Sequence, residues 1–237
     1  MLICAAMHAP VPYRLPPDLL LLAYRSGVFP MADSREDEEL FWVEPRQRAV
    51  FPLENFHLSR SLAKAVRQDR FRVTLDTAFS QVIEACSRPR KDHPETWISA
   101  RIQQSYVGLF EAGHAHSVEC WLDDRLVGGL YGVSFDRVFC GESMFSTETD
   151  ASKVALAWLV ALMRRAGHIL LDCQFMTEHL ASLGAVEISR DSYLMKLSEA
   201  ADGPAAGSLR DAYFALLRET GDSSPGKRIA QDFTHTS

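Results

Sequence analysis

Three strand-like runs in one unbroken stretch constrain this chain more than any other feature. HSVECWLD (116–123), RLVGGLYGVSF (125–135) and RVFCGESMF (137–145) alternate and carry many β-branched and aromatic residues. Only Asp123-Asp124 and Asp136 separate them. Connections this short make hairpins, so the spacing predicts an antiparallel meander. Asp150 or Ser152 then caps a helix over 153–166, which Gly167 ends. Its apolar run, Val154–Met163, is ten residues long, too short for a membrane span and suited to a buried helix. HILLDCQF (168–175) follows as a buried strand.

The remaining elements fall on either side. Pro17-Asp18 opens a short helix that Gly27 ends, and residues 33–39 form an acidic loop. FWVEPRQRAVFPL (41–53) reads as short strands around Pro45. Ser59 can cap a helix from Arg60 to about Asp69. FRVTLD (71–76) is an alternating strand, 77–87 a helix broken at Pro89 and Pro94, and 99–112 a helix closed by Gly113. After the buried strand come a short helix over 177–183 and then AVEISR and YLMKL as a final hairpin or strand. This order predicts an α+β fold with a small N-terminal domain over 1–58. A catalytic domain over 59–197 has a mainly antiparallel sheet flanked by helices, the order of GNAT (acetyltransferase-like) folds. Residues 198–237 read as a linker, a modest helix over 208–220 and a disordered tail.

Composition narrows the class. The chain is 47% hydrophobic and 24% charged, ordinary for a globular protein. Its Pro-rich start lacks a basic n-region, and the expected location is the cytoplasm. Cys4, Cys86, Cys120, Cys140 and Cys173 are scattered, without the spacing of a disulfide framework or zinc site. The net charge of −6 hides an asymmetry, because basic residues outnumber acidic ones ten to four between 46 and 91. Arg60, Lys64 and Arg67 recur at i, i+4 and i+7 and share one helix face. That face is either solvated surface or a seat for RNA phosphates.

Two carboxylates sit where carboxylates are costly. Parity puts Leu170, Asp172 and Gln174 on one face of their strand and Leu171, Cys173 and Phe175 on the other. In the neighbouring strand Glu142 and Met144 share a face, opposite Ser143 and Phe145, and Gly141 permits close backbone approach. An acid in an apolar run must be paired or hydrogen-bonded. Asp172 is either a structural group tying off backbone amides or part of a site, and Glu142 is either an exposed acid at a strand end or part of the same site. Other signals are weaker. His114 and His116 lack partners at metal-ligand spacing. Cys173 and His179 lie across a strand–helix junction, unsupported as a nucleophile and base. Gly128-Gly129 lies within a meander, so it suits close approach of a helix or ligand rather than a phosphate loop. Trp121 suits the core, whereas Trp42 and Trp97 lie near chain breaks where a ring can stack on a base.

Taken in order, LLLAYRSGVFPMAD, HLSRSL, TWI (96–98), GHAHSVECW, LVGGLYGVSF, VFCGESMFS, DASKVAL, LDCQ, EHLASLGA and ISR (188–190) resemble the leucyl/phenylalanyl-tRNA–protein transferase family from about Leu19 to Leu197. The resemblance implies transfer of Leu or Phe, and less well Met, from aminoacyl-tRNA to proteins beginning with Arg or Lys. It implies products marked for N-end rule degradation and no metal or organic cofactor; a monomer is expected. It implies Asp172 and Gln174 as the catalytic pair and Glu142 as the partner of the cationic N-terminal residue. Phe139, Met144, Leu156 and Leu171 would form the apolar pocket, Trp42 and Trp97 would hold the 3′ adenosine, and Arg60, Lys64 and Arg67 would meet the acceptor stem. The family's WWSPDPR becomes FWVEPRQR here, one residue longer, and the tail after Leu197 has no family counterpart. Two rivals remain. A CoA-dependent N-acetyltransferase needs a Gly-rich pyrophosphate loop, and STETDASK has no glycine. A non-catalytic tRNA-binding module has no need of both carboxylates in apolar strands.

Overall fold

The computed structural model describes residues 14–89 and 96–234. Helix α1 (Pro17–Arg25) begins on prolines, whose fixed φ suits a first turn, and ends before Gly27 at φ +79°. Strands β1 (Phe29–Met31) and β2 (Phe41–Val43) pair antiparallel as a separate ribbon. The chain then enters the main sheet as β3 (Gln47–Phe51) and turns through a 3₁₀ segment, Leu53–Asn55. Helix α2 (Arg60–Arg67) starts where Ser59 accepts from the Leu62 amide. There follow β4 (Arg72–Leu75), α3 (Phe79–Cys86) and α4 (Ala100–Glu111), the last capped by Ser99. The expected break at Pro94, like Cys4, lies outside the described residues.

The meander forms as the spacing predicts: β5 (Ala115–Leu122), β6 (Arg125–Phe135) and β7 (Val138–Ser146). Its turns hold Asp123, Asp124 and Asp136 at positive φ, a conformation that aspartate tolerates. Helix α5 (Ala151–Ala166) begins two residues earlier than expected, with Asp150 at the cap position but no side-chain cap bond. Gly167, at φ +81°, ends it. A Cβ on Gly128 would lie 2.5 Å from the Ala151 Cβ, so this glycine admits the start of α5 against β6. Next come β8 (Leu170–Asp172), α6 (Glu178–Ser182), β9 (Val186–Ser189) and α7 (Arg190–Asp202).

Seven strands form one sheet in the order β4-β5-β6-β7-β8-β3-β9. Only β7–β8 is parallel. Strand β3, expected in the N-terminal unit, therefore lies inside the main sheet. One face carries a core with α2 and α5, and the other a core with α1, α3, α4 and α7.

Two expectations fail beyond Ser189. YLMKL is not a strand but part of α7, with Tyr193, Leu197 and Ala200 buried at helical spacing. The helix expected over 208–220 forms as α8 (Leu209–Thr220) and lays Leu209, Tyr213 and Leu216 against α5, but the stretch after it is not disordered throughout: α9 (Pro225–Thr234) buries Ile229 and Ala230 in the same core. The cause is α5, which is buried almost all round and needs an outer layer beyond the sheet. Phe233 completes that layer, 5.4 Å from the Phe56 ring and under the Arg164 guanidinium.

Candidate active site

The parallel pairing of β7 and β8 stops at Cys140↔Asp172. Beyond it β7 continues while the chain leaves β8, and the gap opens into a cavity of about 580 Å³. Leu130, Met144, Leu156, Leu159 and Leu171 give it an apolar floor, and Glu142, Gln174 and Trp97 lie on its walls.

Asp172 is fully buried at the end of β8. Arg48 on β3 is 1% exposed and grips it with two bonds, Nε to Oδ1 at 2.9 Å and Nη2 to Oδ2 at 2.7 Å. Tyr193 Oη donates to Oδ2 at 3.1 Å, and the Gln174 amide donates to Oδ1 at 2.9 Å. Four donors on two oxygens leave no lone pair for a substrate proton. Arg48 is itself held. Its Nη1 donates to the Gly27 carbonyl at 3.0 Å, and its guanidinium lies 4.9 Å and 4.3 Å from the Phe29 and Tyr193 ring centres. Burial opposes the Arg48 charge, but the Asp172 carboxylate outweighs it and the guanidinium pKa is raised.

The strand does not run on to Phe175 as parity assumed. Gln174 has φ +56°, so the chain turns sharply after Cys173. The bond from the Gln174 amide to Asp172 holds this turn, and pairing with Ala49 on β3 secures it. The turn sends Gln174 Nε2 across the cavity to Glu142 Oε1, at 3.0 Å.

Glu142 breaks parity too. Gly132 pairs with Gly141 and Tyr131 with Ser143, leaving Glu142 as the extra residue of a β-bulge. The bulge reverses the faces. Phe145 joins the core beside α3 and α4, Met144 packs against the core beside α5, and Glu142 turns toward Tyr106. Glu142 and Met144 therefore enter the cavity from opposite sides of the strand. Tyr106 Oη donates to Glu142 Oε2 at 3.0 Å, and the Tyr24 and Tyr106 hydroxyls bond to each other. Burial pushes the Glu142 carboxyl up to about 7, against the pull of the two tyrosine hydroxyls.

The other expected residues divide. Met144, Leu156, Leu171, Trp97, Gln174 and Glu142 line the cavity. Phe139 does not. It is fully buried beneath the floor, against Gly132. Trp42 is 43% exposed on β2, opposite Pro30, and does not line the cavity. Asp172 stands behind the wall rather than on it. Arg60, Lys64 and Arg67 are exposed along α2. Arg48, counted with the basic segment, is buried and unavailable to a polyanion. Its role was missed, and so were the contributions of Tyr106, Leu130 and Leu159. Cys173 and His179 both line the cavity, and burial raises the thiol pKa and lowers the imidazole pKa, a pairing opposed to thiolate chemistry. His116 is committed to Asp76, with Nδ1 2.8 Å from Oδ2. The described residues hold no cluster of three His, Cys, Asp or Glu suited to a metal, and no helix long and apolar enough to cross a membrane.

Comparison with known proteins first defines a class, that of aminoacyltransferases drawing on tRNA. Residues 50–198 match the model of the leucyl/phenylalanyl-tRNA protein transferase family, and residues 13–46 match that of its N-terminal domain. The chain is 57% identical to the leucyl/phenylalanyl-tRNA–protein transferase of Novosphingobium aromaticivorans, over 95% of this chain and 98% of that one. It is also 57% identical to the enzyme of the same name from Zymomonas mobilis, over 78% of this chain and 69% of that one. The chain belongs to the leucyl/phenylalanyl-tRNA–protein transferase family.

Proposed function

We propose that this chain transfers Leu or Phe, and less well Met, from aminoacyl-tRNA to the α-amine of proteins with N-terminal Arg or Lys. One observation carries the reading: a single cavity joins an apolar floor to a carboxylate, Glu142, bridged by Gln174. The floor suits an apolar aminoacyl side chain, and the carboxylate suits a cation. Pockets of this kind discriminate one methylene by only ~1–3 kcal/mol, so Met is tolerated beside Leu and Phe.

In the reaction the amine nitrogen attacks the ester carbonyl, the bond to the ribose oxygen breaks, and a proton passes from nitrogen to that oxygen. Gln174 donates through Nε2 to Glu142, which leaves Oε1 to accept from the amine and hold it in place. Asp172 is a positioning residue that fixes the Gln174 turn and does not take the proton. Met144, Leu156 and Leu171 receive the side chain, and Trp97 offers a ring to the 3′ adenosine. The opening between β7 and β8 agrees with a GNAT-like catalytic domain. Such products would enter N-end rule degradation, a cytoplasmic process.

The test mixes the protein with tRNA charged with labelled Leu or Phe and peptides beginning with Arg, Lys or Ala. Label on the Arg and Lys peptides is expected. Its absence there refutes the reading.

A further inference from the structure

Helices α8 and α9 lie beyond residue 198, where the family model ends. Helix α9 nonetheless docks along α2, the helix that presents Arg60, Lys64 and Arg67. Docking is close: a Cβ on Gly226 would stand 1.9 Å from the Val66 carbonyl oxygen. The Gly226 amide donates to Asp69 Oδ1 at 2.9 Å, and Ser224 Oγ donates to the Arg67 carbonyl at 3.4 Å. This contact brings Lys227 beside α2. Lys64, Arg67 and Lys227, with Gln68, Asp69 and Ser224, line a shallow recess of about 670 Å³.

The charge of this recess is unbalanced. All three cations are exposed, and none has an ion-pair partner among the described residues. The next residue behaves differently: Arg228 is tied to Asp232 at 3.1 Å. Among the described residues Asp69 is the one carboxylate lining the recess; it offsets one of the three cations, and its Oδ1 is taken by the Gly226 amide. The excess positive charge favours an anion in the recess.

We propose that helix α9 extends the tRNA-facing surface expected of α2, and that Lys227 completes a recess between the two helices that seats a backbone phosphate of tRNA. This rests on aminoacyl-tRNA being the donor substrate. The cavity can enclose only the 3′ end, so the rest of a polyanion must lie on the outer surface. Each phosphate neutralised releases counterions, which makes binding depend on salt. The surface is composite: α2 comes from the family core and α9 from the extension.

The experiment measures tRNA affinity of the full chain at several salt concentrations for wild type, Lys227→Glu, Gly226→Ala and the charge control Lys196→Glu. Lys227 and Lys196 are both exposed, so both charge reversals keep the fold. Lys227→Glu is expected to weaken binding about tenfold at low salt and to reduce the slope of log affinity against log salt by about one. Gly226→Ala, which lifts α9 off Val66 without changing charge, moves both in the same direction. Lys196→Glu leaves the slope unchanged. Transfer from an aminoacyl-adenosine fragment, which has no phosphate backbone, stays at the wild-type rate in Lys227→Glu. Equal slopes in Lys227→Glu and wild type overturn the recess, as does a Lys196→Glu effect of equal size. Displacement by an acidic peptide with no response to tRNA also overturns it. A wild type that shows no salt-dependent tRNA binding at all instead refutes the donor assignment.

Discussion

Asp172 and Glu142 lie on neighbouring strands, β8 and β7, and border the same opening, yet their surroundings differ in kind. Asp172 meets a guanidinium, a phenol and a backbone amide, and its two oxygens are fully used. Among the described residues the donors bonded to Glu142 are neutral, Tyr106 and Gln174, and burial raises its pKa to about 7 although the Arg48 charge pulls the other way. The first carboxylate is finished without substrate. The second lacks a cation. Burial alone therefore does not identify a functional acid, and the charge still owed to it is the better guide.

The largest effect comes from breaking the finished pair. Arg48→Met leaves Asp172 buried without its cation and should cost about 3–5 kcal/mol in chemical denaturation. Glu142→Gln keeps an acceptor oxygen and breaks no ion pair, and should change stability far less. Equal losses in the two variants would erase the distinction.

The next effect is on pH. In its proposed role Glu142 must be ionised to hold a cationic peptide, and burial pushes its carboxyl up to about 7. Above that value affinity for an Arg-initiated peptide should be flat. Below it, binding must expel a proton, and affinity should fall by up to about tenfold per pH unit. Calorimetry in buffers of different ionisation enthalpy measures the released proton. Affinity that stays level from pH 7.5 to 5.5 would deny Glu142 the role.

The smallest effect is a refinement. Tyr106→Phe removes a hydroxyl that favours the charged form of Glu142. The bond favours the carboxylate over the neutral acid by about 1 kcal/mol, so the midpoint of the pH profile should rise by about one unit or less. An unmoved or lowered midpoint would contradict the assigned contact.

The same contrast shows what the sequence makes legible. Local chemistry reads well. Ser59 caps its helix as expected, the helices expected from Ser99 and Thr177 start there with those residues as caps, Gly167 ends α5, and the aspartate turns set the meander. Pairings distant in sequence do not read. Nothing near β3 announces that it lies between β8 and β9, and this placement brings Arg48 to Asp172 across 124 residues. A clue existed all the same, since Arg48 and Asp172 are each a lone charge in an apolar strand and each answers the other's need. Parity failed at Glu142 because a bulge inserts one residue, and Gly141 beside it was the available sign. It failed at Gln174 because a positive φ ended the strand. Composition alone conceals α9. Ile229, Ala230 and Phe233 sit at helical spacing, and an apolar helix as long as α5 demands a second cover.

In the proposed function Glu142 selects the cationic N-terminus while Asp172 positions Gln174. The most direct measurement is the ratio of kcat/KM for Arg-initiated over Ala-initiated peptides in Glu142→Gln and Asp172→Asn. Glu142→Gln should collapse the ratio by about ten- to a hundredfold, the worth of about 1.5–3 kcal/mol in a charged hydrogen bond. Asp172→Asn should lower both rates and leave the ratio standing. A ratio that survives Glu142→Gln, or one that collapses in Asp172→Asn, would contradict the account.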